Sequence, residues 1–350
     1  MMVPDSSDAI VCVGADDGGL YAVDANTGTE RWTFTEPSQP VGSSPTVSGG
    51  TVYVGAEDGN LYALDAKTGE REWTFSDPSR PVAPSPMVSG GTIYVGAKDG
   101  VVYAVDEEGG DPTWTAEESA GPVSSSPTVV DGTLYVGSDD GNLYAVDAET
   151  GERKWTFAKP LGPVSSSPTV SEGTVYVGSD DRRVYAVDAD TGDAVWTFDE
   201  PRGPVFSSPA VVDGTVYVGS WKALFALDSE TGDPVWSVDL PKTGVDASPT
   251  VVDGVLYVGS LDGVFRALDA ETGAKKWIFS EPSGWIVSAA TAFAGALYVG
   301  ADDGTLYAVN GETGEKRWAF DEPSAGISTA PTVVPSPGNA PSIENRGELV

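Results

Sequence analysis

The chain has 350 residues, 53 acidic against 19 basic, for a formal net charge of −34. That balance disfavours nucleic acid, whose phosphates are held by Lys and Arg, and resembles proteins adapted to molar salt, where the Debye length falls to about 3 Å and self-repulsion is screened. There is no His and Cys12 is the only Cys, which excludes an intrachain disulfide, a Cys-based metal site and histidine as a general base.

The first residues, "MMVPDSSDAI", show neither the basic nor the apolar region of a secretory leader. No window approaches the eighteen or so apolar residues of a spanning helix. The chain as it stands therefore reads as soluble and, with so much acid, as a monomer. The first strand is "AIVCVG", Ala9 to Gly14. From there a single phrase recurs. Gly14, Gly55, Gly96, Gly137, Gly178, Gly219, Gly259 and Gly300 close successive copies of "YVG" or its variants, 41 residues apart six times and 40 once. Trp32, Trp73, Trp114, Trp155, Trp196, Trp236, Trp277 and Trp318 repeat the spacing. Two landmarks in step make eight copies.

Each copy predicts four short strands. In the fifth they are "VSSSPTV" (Val164 to Val170), "TVYVG", "VYAVD" and "VWTF". Val, Tyr, Thr and Trp alternate in them, and Asp-Gly or Thr-Gly turns separate them. Four strands in about 41 residues describe a propeller blade. The chain starts at a second strand and ends its repeats with a first strand, "ISTAPTVV" (Ile327 to Val334), so the C-terminal segment should complete the N-terminal blade. The expectation is an all-β, eight-bladed β-propeller of four-stranded antiparallel blades, one domain over residues 1–334. A Pro-rich tail, 335–350, lacks the pattern and reads as disordered.

The phrase "AVDAETGERKW", Ala145 to Trp155, resembles the tryptophan-docking motif of PQQ-like (pyrroloquinoline quinone type) propeller repeats. "AVDANTGTERW" and "ALDAETGAKKW" are further copies; "AVDEEGGDPTW" lacks the Thr and "AVNGETGEKRW" replaces the Asp. The resemblance covers about 325 residues. It implies one of two kinds of relative, a quinoprotein dehydrogenase or a cofactor-free eight-bladed assembly scaffold of the bacterial outer membrane. It also implies that the eight repeated Trp residues are structural, joining blades. Relatives are often exported to the cell envelope.

A dehydrogenase of this resemblance would carry a vicinal Cys pair over the quinone, a Ca²⁺ site and a catalytic Asp. One Cys cannot form that pair. The "DDG" hairpins, such as Asp139-Asp140-Gly141, offer too few oxygens for Ca²⁺. No catalytic residue, metal site or cofactor is expected, with PQQ the remaining possibility.

The departures from the repeat are the informative positions. Hairpins between second and third strands share one face, here the top, with the loops that lead into each inner strand. On that face Arg182 and Arg183 occupy the fifth hairpin and Arg202 the next loop. Phe206 heads the sixth inner strand, and Trp221 and Lys222 replace its Asp-Asp-Gly hairpin. Lys242, Asp246, Arg266 and Trp285 follow through the seventh and eighth blades. Excluding Arg346, half of the basic residues lie on or near top loops, six of those nine between Arg182 and Arg266. Trp and Arg are the residues enriched in binding hot spots. The reading is a non-catalytic scaffold that takes a protein or peptide partner on this sector. The alternatives are a PQQ- or metal-dependent redox protein, and a carbohydrate or small-ligand binder that stacks on Trp221 and Trp285. The competing account of the sector is drift, with Trp221 folded back into its own shortened turn.

Overall fold

The computed structural model describes residues 8–117, 119–240 and 244–335. Among them every regular element is a strand, in eight four-stranded antiparallel sheets. The fourth blade is typical: Thr128–Val130 inside, then Thr133–Gly137, Leu143–Asp147 and Arg153–Phe157 outside. The ring closes as its sequence implies. Thr332–Val334 pairs antiparallel with Ile10–Gly14, so both ends of the repeat array share one sheet. The expected tail lies outside the described residues except for Pro335.

"VSSSPTV" reads as one short strand, and the ladder there covers its end, Thr169–Ser171. Pro168 has no N–H to donate, and serine side chains replace the missing backbone bonds. Ser166 Oγ accepts from Gly178 N at 2.7 Å and donates to Gly178 O at 3.1 Å. Around most of the axis one blade hands a bond to the next: Ser44 N–H to Ser85 Oγ, Ser85 N–H to Ser126 Oγ, Ser126 N–H to Ser167 Oγ, all within 3.0 Å, with the relay interrupted at Ala289 and Ala330, which have no hydroxyl.

Blades are joined on the outside by the repeated Trp. Its indole N–H reaches the next blade and donates at 2.9–3.1 Å to the carbonyl of Ala66, Ala148, Ala189, Ser229, Ala270, Gly311 or Ala25. The Tyr of "YVG" commonly donates to that same carbonyl: Tyr135 and Trp155 share Ala189 O, and Tyr176 and Trp196 share Ser229 O. In the first blade Cys12 stands where the others have Tyr. It is fully buried, and burial pushes its thiol up to about 12.

The ring of each Trp lies on the Gly of the following blade's Asp-x-x-Thr-Gly turn. A Cβ on Gly192 would meet Trp155 Cδ2 at 2.7 Å, and one on Gly232 would meet Trp196 at the same distance. Both glycines have φ +75. Glycine is needed twice over, for the left-handed backbone and for the missing Cβ. The turn is built by its Asp: Asp147 Oδ1 accepts Glu149 N–H, Thr150 N–H and the Thr150 hydroxyl. In the third copy Asp106 still accepts Glu108 N–H and Gly109 N–H without a Thr, and in the eighth Asn310 accepts Glu312 N–H and Thr313 N–H. The motif is therefore a docking device.

Gly192 and Gly173 provide a matched pair. Both have φ +75, but nothing lies within 4 Å of a Cβ on Gly173. Gly173→Ala should cost only the left-handed strain, about 1–2 kcal/mol. Gly192→Ala should cost about 1–3 kcal/mol more, because Trp155 must move. Urea unfolding of the two variants reads the difference; equal losses would remove the Trp–Gly contact from the blade interface.

Candidate functional site

On the top face, six blades share one arrangement that their sequences do not advertise. The Asp at the second position of the hairpin holds two groups at once. Its Oδ2 accepts the N–H of the loop entering from the preceding blade, at 2.7–3.1 Å: Ser324 to Asp17, Ser38 to Asp58, Ser79 to Asp99, Ala120 to Asp140, Leu161 to Asp181 and Ser283 to Asp303. The same carboxylate accepts the hydroxyl of the Tyr four residues on, as in Tyr62 to Asp58, Tyr144 to Asp140 and Tyr185 to Asp181. Burial and then the facing carboxylate push these three phenols up to about 12, so they remain protonated donors.

The sixth blade lacks both halves of this lock. Ser220 pairs directly with Ala223, leaving the two-residue turn Trp221-Lys222 with no Asp, and Phe225 stands in place of the Tyr. Its second to fourth strands are Thr215–Ser220, Ala223–Asp228 and Pro234–Asp239, and Leu240 N–H donates to Lys222 O. Trp221 is neither free nor folded away. Its Cβ presses on Gly203 so closely that no side chain fits there, yet 47% of the residue is exposed.

Two adjoining depressions lie on this part of the face. One, of about 470 Å³, is lined by Leu161, Asp180, Asp181, Arg182, Arg183, Asp199 and Pro201. The other, of about 440 Å³, is lined by Asp180, Arg182, Arg202, Gly203, Pro204 and Trp221. The fold thus brings together four residues singled out from sequence: Arg182, Arg183, Arg202 and Trp221. The other lining residues were missed by sequence reasoning, Asp180 and Leu161 foremost among them. Leu161 is 85% exposed in a loop position where other copies carry Ser38, Ser79, Ser283 or Ser324, and that substitution was the available signal. Burial, then the charges of Asp139 and Asp181, raises the Asp180 carboxyl above its ordinary value.

The remaining sector residues lie apart from these depressions. Lys222 is exposed in the turn. Phe206 and Trp285 are 38% and 57% exposed. A Cβ on Gly244 would lie 3.4 Å from Trp221 Cα and 3.2 Å from Asp246 Oδ1, and burial raises the Asp246 carboxyl. Arg266 stands where most blades have the hairpin Tyr and does the same work: it forms a two-bond ion pair with Asp262, at 3.0 and 2.5 Å. Its charge is spent within its own hairpin. Lys242 lies outside the described residues.

A quinone site does not fit these residues. Cys12 is buried in the first blade with no second Cys, and the described residues contain no group of three or more acidic or Cys ligands placed to hold a metal.

Arg182 carries backbone strain. Its φ of 72 falls in the left-handed region, where the equivalent Gly18, Gly59, Gly100 and Gly141 sit at 87 to 89. A non-glycine residue there costs about 1–2 kcal/mol. Arg182→Gly should therefore raise stability by about 0.5–1 kcal/mol after the added freedom of the unfolded chain is subtracted. Thermal melts test this; a lowered melting temperature would make Arg182 a structural member of its hairpin.

A family model described as outer membrane protein assembly factor BamB matches residues 2–101, 98–220 and 202–320. No curated protein matches the chain in sequence. Among solved structures, BamB from Moraxella catarrhalis superposes with a TM-score of 0.70 at 21% identity, over 86% of this chain and 93% of that one. The computationally designed Ika8 protein gives 0.75 at 19% identity, over 82% and 89%. The quinohemoprotein alcohol dehydrogenase ADHIIG from Pseudomonas putida HK5 gives 0.70 at 18%, over 86% of this chain and 68% of its own. At such identities the structures share the fold, whereas the family match spans nearly the whole ring. The chain belongs to the family described as outer membrane protein assembly factor BamB, built from PQQ-like propeller repeats.

Proposed function

We propose that the chain is a non-catalytic scaffold that docks a protein or peptide partner on the top of its fifth and sixth blades. The observation that carries this reading is the meeting of Arg182, Arg202 and Trp221 at one depression, where the repeat's own hairpin lock is missing. Drift would scatter substitutions around the ring. Here the lost Asp, the lost Tyr and the strained Arg182 belong to two neighbouring blades. Membership in a family described as an assembly factor supports a protein partner over a small substrate.

The dehydrogenase relative supports the alternative only through its fold, and the residues a quinone would need do not fit. Stacking of a carbohydrate between Trp221 and Trp285 finds less support, because Trp285 does not line the depression that holds Trp221.

The test is a comparison of two baits. In the variant, Trp221–Ala223 is replaced by the Asp-Asp-Gly-Asn of the fourth blade, together with Phe225→Tyr. This rebuilds the lock and covers the depression. The unmodified chain should retain a partner from a cell extract that the variant loses, while both melt cooperatively. Identical capture by the two baits would contradict docking at this sector.

A further inference from the structure

The sixth blade has a backbone donor without the hairpin carboxylate that its counterparts bond. The Arg202 N–H is the counterpart of the Ser38, Ser79, Leu161 and Ser283 N–H groups, each of which donates to a hairpin Asp. Arg202 is exposed, and its N–H donates to nothing in the described structure. Around that amide the charge is available as well. Arg31, Arg71, Lys98, Lys154, Lys276 and Lys316 are all engaged in ion pairs elsewhere on the ring. Arg182, Arg202 and Lys222 form none among the described residues. Arg80 and Lys275 form none either, but they stand alone, whereas Arg182, Arg202 and Lys222 gather in neighbouring loops of a chain of net charge −34.

We infer that the depression between Arg182, Arg202 and Trp221 takes a carboxylate from an extended acidic segment of a partner protein, in the place of the missing hairpin Asp. The inference rests on the docking reading above and specifies its partner. The carboxylate receives the Arg202 N–H, the bond its six counterparts make internally. The Arg202 and Arg182 guanidiniums add charge-assisted donors, which are the stronger kind of hydrogen bond. The half-exposed Trp221 ring offers an apolar face to the neighbouring side chain of the segment. The site is an open depression of about 440 Å³ between two loops, which suits a side chain presented on a strand of peptide. Asp180 is the one acid on its lining and opposes the incoming charge. Elsewhere the top hairpins carry their own Asp, so the same segment is repelled from most of the ring and retained at one place.

The experiment uses short random peptides displayed on phage, panned on the full chain at the lowest salt at which it stays folded. The enriched peptides should carry Asp or Glu beside an apolar residue. As synthetic peptides they should bind at least about ten-fold more weakly to Arg202→Ser and to Arg182→Gly. They should bind more tightly to Asp180→Asn, and should weaken as salt rises. The lock-restored variant, whose own Asp fills the position, should not bind them. Peptides that need Trp221 but carry no excess of acid, or that ignore both Arg substitutions, would overturn the carboxylate inference and leave the docking reading standing. Peptides that bind the lock-restored variant equally well, or a failure to enrich any peptide, would overturn both. Circular dichroism of each variant separates loss of binding from loss of fold.

Discussion

The contact of one blade's Trp with the next blade's Gly is the constraint on which the ring depends. A four-stranded sheet buries too little alone, and each blade must cover its neighbour's face. The indole does this with its ring on a glycine and its N–H on a neighbouring carbonyl, as in Trp196 over Gly232 with a bond to Ser229 O. Because the glycine also ends the turn that positions the next Trp, the device propagates from blade to blade. It closes when Trp318 meets Gly28 and Ala25 O. That economy gives the Asp-x-x-Thr-Gly-x-x-x-Trp phrase a structural meaning that needs no ligand.

A ring fixed on its outside and near its axis can tolerate change at its top hairpins. The hairpin Asp there ties a loop to its neighbour at the surface, and its loss leaves the Trp–Gly contacts untouched. At the two interfaces of the sixth blade the Trp196 and Trp236 bonds to Ser229 O and Ala270 O are as short as elsewhere, although the lock above them is gone. The structure thus separates a load shared by all blades from a face free to specialise. Two departures on that face prove to be different things. Arg266 with Asp262 restores, with an ion pair, the contact a Tyr makes in other blades. Trp221 restores nothing: it packs its Cβ on Gly203 and leaves half its surface in solvent.

Nearly all of the fold was legible in the sequence, because eight copies in register average out local ambiguity. The closure of the ring could be read from "AIVCVG" at one end and "ISTAPTVV" at the other. The inner strands are shorter than the segments that carry their pattern, for a local reason. Val164–Ser167 has the composition of a strand but is bonded through serine hydroxyls around Pro168, which a period-two pattern does not reveal. The site was half legible. Departures from consensus singled out Arg182, Arg202 and Trp221, which the fold brings to one depression, yet could not distinguish Arg266, whose partner lies four residues away across a turn. Nor could they show why the missing Asp matters. Its role as acceptor for a loop twenty residues earlier in the chain is a tertiary fact, visible only once Ser38 and Asp58 are seen together.

The amide of Arg202 decides whether the sixth blade has a place for a partner. Residue-resolved hydrogen exchange of the top loops measures it directly. The Arg202 N–H should exchange faster than its counterparts at Ser38, Ser79, Leu161 and Ser283, and should slow when an acidic peptide binds. An Arg202 amide already as protected as those four in the free protein would contradict the account, since the position would then have no vacancy for a partner to fill.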